Sequence, residues 1–187
     1  MRKCIIIPII LVSFWACSQN VHQDPTHNFT VQRLLIVNGN NELLMCREQS
    51  VWAPPSLIYD QRQFLKEGLD SLSNAYGIRI GELQLRGKFS YKYDYHPHAT
   101  SRDYFVARYV SGDLKVPKGM DEAKWIPLPQ AIEKNSVTAI MEITRQIMMF
   151  PHTVWGGSFV VSRTESGHPT KIVEDFYPLF EIATDGR

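Results

Sequence analysis

An α/β (α+β) sandwich on a mixed sheet is the fold class the sequence predicts, and three observations predict it. Strand-like and helix-like segments alternate along the chain, the first two strand-like runs are joined by an Asn-Gly turn, and no Gly-rich phosphate loop follows any strand. The last of these disfavours a dinucleotide-binding sheet. With 187 residues, 44% hydrophobic and 21% charged, the chain is long enough for one buried core, so one domain is expected. Lys and Arg number 20 against 19 Asp and Glu, a net charge of +1. That balance supplies no field to hold a nucleic acid backbone, so no nucleic acid partner is expected. Cys4, Cys17 and Cys46 fit neither a disulfide framework nor a CxxC zinc spacing.

The amino-terminal stretch has its own pattern. Arg2 and Lys3 precede an apolar run from Cys4 to Trp15, which ends at Ala16, Cys17 and Ser18. This is the layout of a secretory signal, and the run is shorter than the about 20 residues that cross a bilayer. Ala16-Cys17 resembles a bacterial lipoprotein cleavage site, with Cys17 as the lipidated residue, although Phe14 and Trp15 are bulkier than such sites usually carry. Residues 1–18 are read as the signal and 19–28 as a polar tether, placing the protein in the cell envelope with a lipid anchor to the membrane. Two alternatives stay open: cleavage after Ser18, giving a secreted protein, and a mis-assigned start on a cytoplasmic one.

The elements follow in order. "TVQRLLIV" (30–37), "NGNN" and "ELLMCRE" (42–48) predict a hairpin. Pro54 and Pro55 break the chain before a helix whose apolar residues Phe64, Leu65, Leu69 and Leu72 recur at helical spacing, with Gly77 as its stop. "ELQLRGKFSYKYDYH" and "SRDYFVARYVSG" predict two long strands joined through "PHAT". "SVTAIMEITRQIMMF" (136–150) predicts a second helix with Ser136 as its N-cap. "TVWGGSFVVSR" and "KIVEDFYPLFEI" read as an added strand pair in a carboxy-terminal extension, 151–187.

The order of these parts resembles the Nudix hydrolase superfamily. The resemblance rests on "VQRLLIVNGNNELLMCRE", the tryptophan of "WAPP", the loop and helix closing on "YGI", and "GDLKVPKGMDEAKWIPLPQAI", and it covers residues 29–150. It implies a Nudix-like α/β/α sandwich and Mg²⁺-dependent hydrolysis of nucleoside diphosphate derivatives. Anchored on Gly77 and Ile78, the family's motif puts its leading glycine at Ser56 and its first glutamate at Arg62. The Arg-Glu pair falls at Asp70-Ser71, the hydrophobic residue at Leu72, and the Glu-Glu pair at Asn74-Ala75. Only Leu72, Gly77 and Ile78 match, and these are packing or turn residues. Diphosphate hydrolysis of this kind needs divalent cations held by carboxylate oxygens. The degenerate motif therefore implies that no Mg²⁺ cofactor is used and the hydrolysis is lost, leaving a ligand-binding or scaffold module.

Candidate residues remain. Glu67, Asp70 and Glu122 would form a displaced metal site if the chain were still a hydrolase; against this, Glu67 and Asp70 suit the solvated side of a helix. His96, His98 and Asp94 have a His-x-His spacing suited to zinc, but Pro97 between the histidines argues for a turn. Phe89, Tyr91, Tyr93 and Tyr95 share a sheet face that is either core or the wall of a groove. In the second case Trp52 and Tyr91 would stack a flat ring, and Arg33 and Arg47 would reach the charge of a small anionic or nucleotide-like ligand. A third reading makes the tail from Trp155 to Phe180 a protein-interaction surface in the cell envelope.

Overall fold

The computed structural model describes residues 30–59, 63–162, 164, 167 and 169–183. Cys17, the signal segment, the tether and Arg62 lie outside them. Strands β1 (Thr30–Val37) and β2 (Glu42–Glu48) form where their β-branched and leucine-rich runs predict them. Between them Asn38 organises a four-residue loop. Its side-chain oxygen accepts hydrogen bonds from the amides of Asn40 and Glu42, and Asn41, not Gly39, takes the left-handed backbone at φ 59°. The expected hairpin is only its own tip. Beyond Val37↔Leu43 the two strands separate, β1 running parallel to β6 (Ala99–Gly112) and β2 antiparallel to β7 (Glu122–Pro127).

Two short strands, β3 (Val51–Ala53) and β4 (Ser56–Tyr59), flank Pro54-Pro55 and go to opposite sides of this split, β3 onto β2 and β4 onto β1. β5 (Ile78–Tyr93) pairs antiparallel with β6 and parallel with β8 (Thr153–Val161), and β9 (Thr170–Glu181) closes the edge beside β8. Together the nine strands among the described residues form one mixed sheet.

Each face of the sheet carries a core. On one side α1 (Leu65–Ala75) and Tyr76, the residue that caps it, set Leu69 and the Tyr76 ring against Leu34, Ile36, Leu44 and Phe105. On the other, α2 (Leu128–Lys134) and α3 (Thr138–Met149) set Ala131, Ile143 and Ile147 against Leu35, Phe89, Tyr104 and Phe159. This is the expected α/β/α sandwich. None of these helices is long and apolar enough to cross a membrane.

Details depart from the sequence reading. Phe64 does not join the core: it precedes the first turn of α1, 78% exposed, and its amide donates to the Glu67 carboxylate at 3.2 Å. Ser136 is not the cap of α3. Its hydroxyl accepts from the Trp52 amide at 2.8 Å and its own amide donates to the Trp52 carbonyl at 2.9 Å, tying the helix entrance to β3.

Gly77 ends α1 at φ 75°, and a Cβ there would lie 2.3 Å from the Asp113 carbonyl oxygen. Gly77→Ala is expected to lower stability by roughly 1–3 kcal/mol, from the left-handed backbone and this backbone clash together. Urea unfolding measures it, and an unchanged midpoint would contradict the close approach.

Candidate functional site

Where β1 and β2 part, the sheet opens into a cleft of about 470 Å³. Its walls come from both sides of the split. Arg33 projects from β1, Cys46 and Glu48 from β2, and Ser56 from β4; Leu72 and Ala75 come from the last turn of α1 and Tyr76 from its C-cap. Tyr93 and Tyr95 close one end, against Val137 and Ile140 at the start of α3, and Lys118 comes from the loop before β7. Tyr93 and Tyr95 rest ring on ring, 5.4 Å between centroids and 30° between planes, with Tyr95 63% exposed. The aromatic stripe therefore divides. Phe89 and Tyr91 are core, whereas Tyr93 and Tyr95 reach the cleft.

Continuous with the cleft through Arg33, Tyr93, Val137 and Ile140 is a recess of about 80 Å³, whose polar lining is Arg33, Tyr91, Tyr93, Arg102 and Tyr104. Register explains the grouping. Parallel pairing puts Arg33 beside Tyr104 and Val31 beside Arg102, so both arginines take the face on which α3 lies. The Arg102 guanidinium sits over the rings of Tyr91 and Tyr93, at 5.4 and 5.9 Å from their centroids. Arg33 donates to the Pro54 carbonyl at 2.7 Å. The Tyr91 and Tyr104 hydroxyls are 3.1 Å apart, and burial pushes both phenols up, so both stay protonated at neutral pH.

Cys46 faces the cleft with its thiol donating to the Ala53 carbonyl at 3.2 Å, and burial pushes its pKa up. Alkylation of Cys46 at pH 8 is expected to be at least about tenfold slower than that of a free thiol, which ionises near 8.5. Peptide mapping reads this directly; labelling at the free-thiol rate would contradict the buried, neutral state.

No protein-family model matches the chain, and no curated protein matches it. Solved structures do. The mutator MutT protein from Bacillus halodurans superposes with a TM-score of 0.60 at 14% identity, over 78% of this chain and 97% of that one. A Nudix hydrolase from Nitrosomonas europaea gives 0.55 at 14% identity, over 65% and 88%. An Ap4A hydrolase from C. elegans gives 0.51 at 17% identity, over 65% and 98%. The fold is the Nudix fold. At these identities the likeness carries the fold alone.

On this Nudix fold the motif positions can be inspected in place. Ser56, Leu72 and Ala75 line the cleft, while Ser71 and Asn74 are exposed on α1. These side chains present hydroxyl, amide and methyl groups, with no carboxylate among them. Mg²⁺ keeps near-ideal octahedral oxygen coordination and is held by carboxylates plus water. The donor set at these positions does not fit it.

The displaced metal site fails on geometry as well. Glu67 is drawn to the Phe64 amide, and Asp70 pairs with Lys66 at 2.6 Å on the outside of the helix. Glu122 lies in β7, where Lys124 at 2.6 Å and Arg47 at 3.4 Å hold its carboxyl below its ordinary range. Three carboxylates each neutralised or capped in a different place do not make a cation site. His96 and His98 sit in the exposed turn after β5 with rings 5.9 Å apart, the His96 Nδ1 engaged by the His98 backbone, and Asp94 is exposed beside them. Among the described residues no group of three His, Cys, Asp or Glu is placed to hold a metal ion.

The expected ligand-binding set splits likewise. Arg33 reaches the cleft, and Tyr91 only the wall of the recess, 4% exposed. Arg47 and Trp52 do not line the cleft. Arg47 is turned to Asp121 and Glu122, and the Trp52 ring is covered by Lys134 at 4.4 Å, Lys124 at 4.7 Å and Arg47 at 5.9 Å. Three cations already occupy the surroundings of that ring. A broader, shallower depression of about 780 Å³ beside it, over β7 and α2, lacks enclosing walls.

Arg102 and Tyr104 were not foreseen. The signal was present in "SRDYFVARYV", where Arg102 shares the parity of Tyr104 and Val106 and so sits beside apolar residues on one face of the strand.

Proposed function

We propose that this Nudix-fold protein is a binding module for a small anionic or nucleotide-like ligand that does not hydrolyse diphosphates with a metal. One observation carries the reading. The positions that would hold Mg²⁺ are Ser71, Asn74 and Ala75, while Arg33 lines the cleft and Arg33 and Arg102 line the recess behind it. A diphosphate held there would be neutralised by guanidinium groups, which bind oxyanions but do not activate a water.

The test is calorimetric titration of Mg²⁺, of Mn²⁺ and, without metal, of a nucleotide panel into the full chain, with Asp70→Asn alongside and a phosphate-release assay on the same panel. Expected are nucleotide binding without metal, no phosphate release, and no effect of Asp70→Asn. Metal-dependent release that disappears in Asp70→Asn would replace this reading with that of an active hydrolase using displaced carboxylates.

The proposal places the module in the cell envelope, anchored through Cys17. Detergent phase partition of the protein made in a bacterium with a lipoprotein pathway checks this. The native chain is expected in the detergent phase and Cys17→Ser in the aqueous phase; equal partition would argue against the anchor.

A second reading, protein interaction through the tail, is favoured by β9. This edge strand exposes Val173, Tyr177, Leu179 and Phe180.

A further inference from the structure

We infer that the recess behind the cleft is an oxyanion subsite, and that the ligand enters charge first. Its carboxylate or phosphate-monoester head would lie against Arg33 and Arg102, and its flat ring would stay outside against Tyr93 and Tyr95. The inference rests on the cleft being a binding site and adds the ligand's orientation and head group.

Charge is the first support. Arg47, Arg108 and Arg145 each meet a carboxylate, at 3.4, 2.7 and 2.6 Å. Among the described residues Arg33, Arg79, Arg86 and Arg102 meet none, and of these Arg33 and Arg102, both partly buried, line the same recess. Two like charges around one small space with no counter-charge are unfavourable until an anion enters.

Donor capacity is the second. A guanidinium carries five N–H groups in a fixed fork that matches a carboxylate or phosphate edge. Arg33 spends one on the Pro54 carbonyl and directs another toward the Tyr104 hydroxyl, and Arg102 makes a single long contact, 3.4 Å, to the Tyr93 hydroxyl. Between the Tyr91 and Tyr104 hydroxyls only one proton is needed for their mutual bond, which leaves a second O–H for a ligand.

Size and position are the third. About 80 Å³ is roughly half the ~150 Å³ of a cavity that holds benzene, which leaves room for one oxyanion and not for a ring bearing one. The larger outer cleft has the flat surface that a ring needs, in Tyr93 and Tyr95, and it also holds Glu48, the one carboxylate lining it among the described residues. Charge and shape therefore sort the ligand's two ends the same way.

The experiment is calorimetric titration of the full chain with benzoate, phenyl phosphate, benzyl alcohol and ADP. It uses the native protein, Arg33→Met, Arg102→Met, Arg102→Lys and, as a control on the exposed strand β9 outside the cleft, Lys171→Ala. Benzoate or phenyl phosphate is expected to bind and benzyl alcohol not to, and the tighter of the two acids identifies the head group. Each methionine variant is expected to weaken the acid by at least about tenfold, the loss of a charge-assisted bond, while Lys171→Ala changes it by less than about threefold. Arg102→Lys, which keeps the charge and loses the fork, is expected to fall between native and Arg102→Met. It supplies the measurement if Arg102→Met does not fold. Acids that bind equally well to native, Arg33→Met and Arg102→Lys proteins would overturn the subsite while leaving the cleft reading intact. So would ADP binding without binding of either acid. No binding of any of the four would overturn both.

Discussion

Mg²⁺ is expected to leave the unfolding temperature of the native chain unchanged and to raise that of a Ser71→Glu, Asn74→Glu, Ala75→Glu variant by several degrees. Residues 71, 74 and 75 stand at i, i+3 and i+4, on one exposed stretch of α1 at the edge of the cleft. In the native helix they offer no anion. In the variant three carboxylates share a face, and their repulsion costs roughly 0.2–0.5 kcal/mol per pair until a cation relieves it. A ligand at a hundred times its dissociation constant stabilises by about 2.7 kcal/mol. In a domain of this size each kcal/mol moves the unfolding midpoint by about 2–4 °C. Thermal unfolding with and without Mg²⁺, for both proteins, measures the difference. Stabilisation of the native chain by Mg²⁺ would show that carboxylates elsewhere had assembled a site, against the geometry of Glu67, Asp70 and Glu122.

Phe89→Ala is expected to cost about 3–5 kcal/mol, the usual loss for removing a fully buried phenyl ring. Phe89 is 1% exposed and meets three other rings edge-on: Tyr104 at 5.5 Å, Phe159 at 5.9 Å and Phe176 at 5.9 Å. Those rings belong to β6, β8 and β9, so one side chain on β5 joins four neighbouring strands. Gly87 keeps the space open, since a Cβ there would lie 2.4 Å from the Phe89 ring. Its removal also frees Tyr104, a wall of the recess, so binding of an anionic probe should weaken together with stability. Urea unfolding gives the first quantity and calorimetry the second. A stability loss below about 1 kcal/mol would place the ring outside the packed core.

Much of the fold was legible in local pattern. β-branched and leucine-rich runs on either side of an asparagine-rich turn gave β1 and β2 their bounds, and helical spacing of Leu65, Leu69 and Leu72 before Gly77 gave α1. Misreadings came where a residue had two suitable roles. Phe64 fits the apolar spacing of α1 but lies one residue before its first turn, where the side chain swings to solvent. Ser136 fits an N-cap, yet its hydrogen bonds go to Trp52, a partner brought by β3 from far along the chain. Arg47 and Trp52 had the right chemistry for a ligand but sit on the β2 and β3 side of the split, among acids and lysines.

The sequence by itself determined the identity and order of the elements and the absence of carboxylates at positions 71, 74 and 75, because both are properties of the residues and their immediate spacing. Only the tertiary structure decided that β1 and β2 part to open a cleft, and that Arg33 on β1 and Arg102 on β6 line one recess. Side-chain periodicity tells which face of a strand a residue takes, but not which strand lies beside it. That choice belongs to the packing of the whole sheet between its helices.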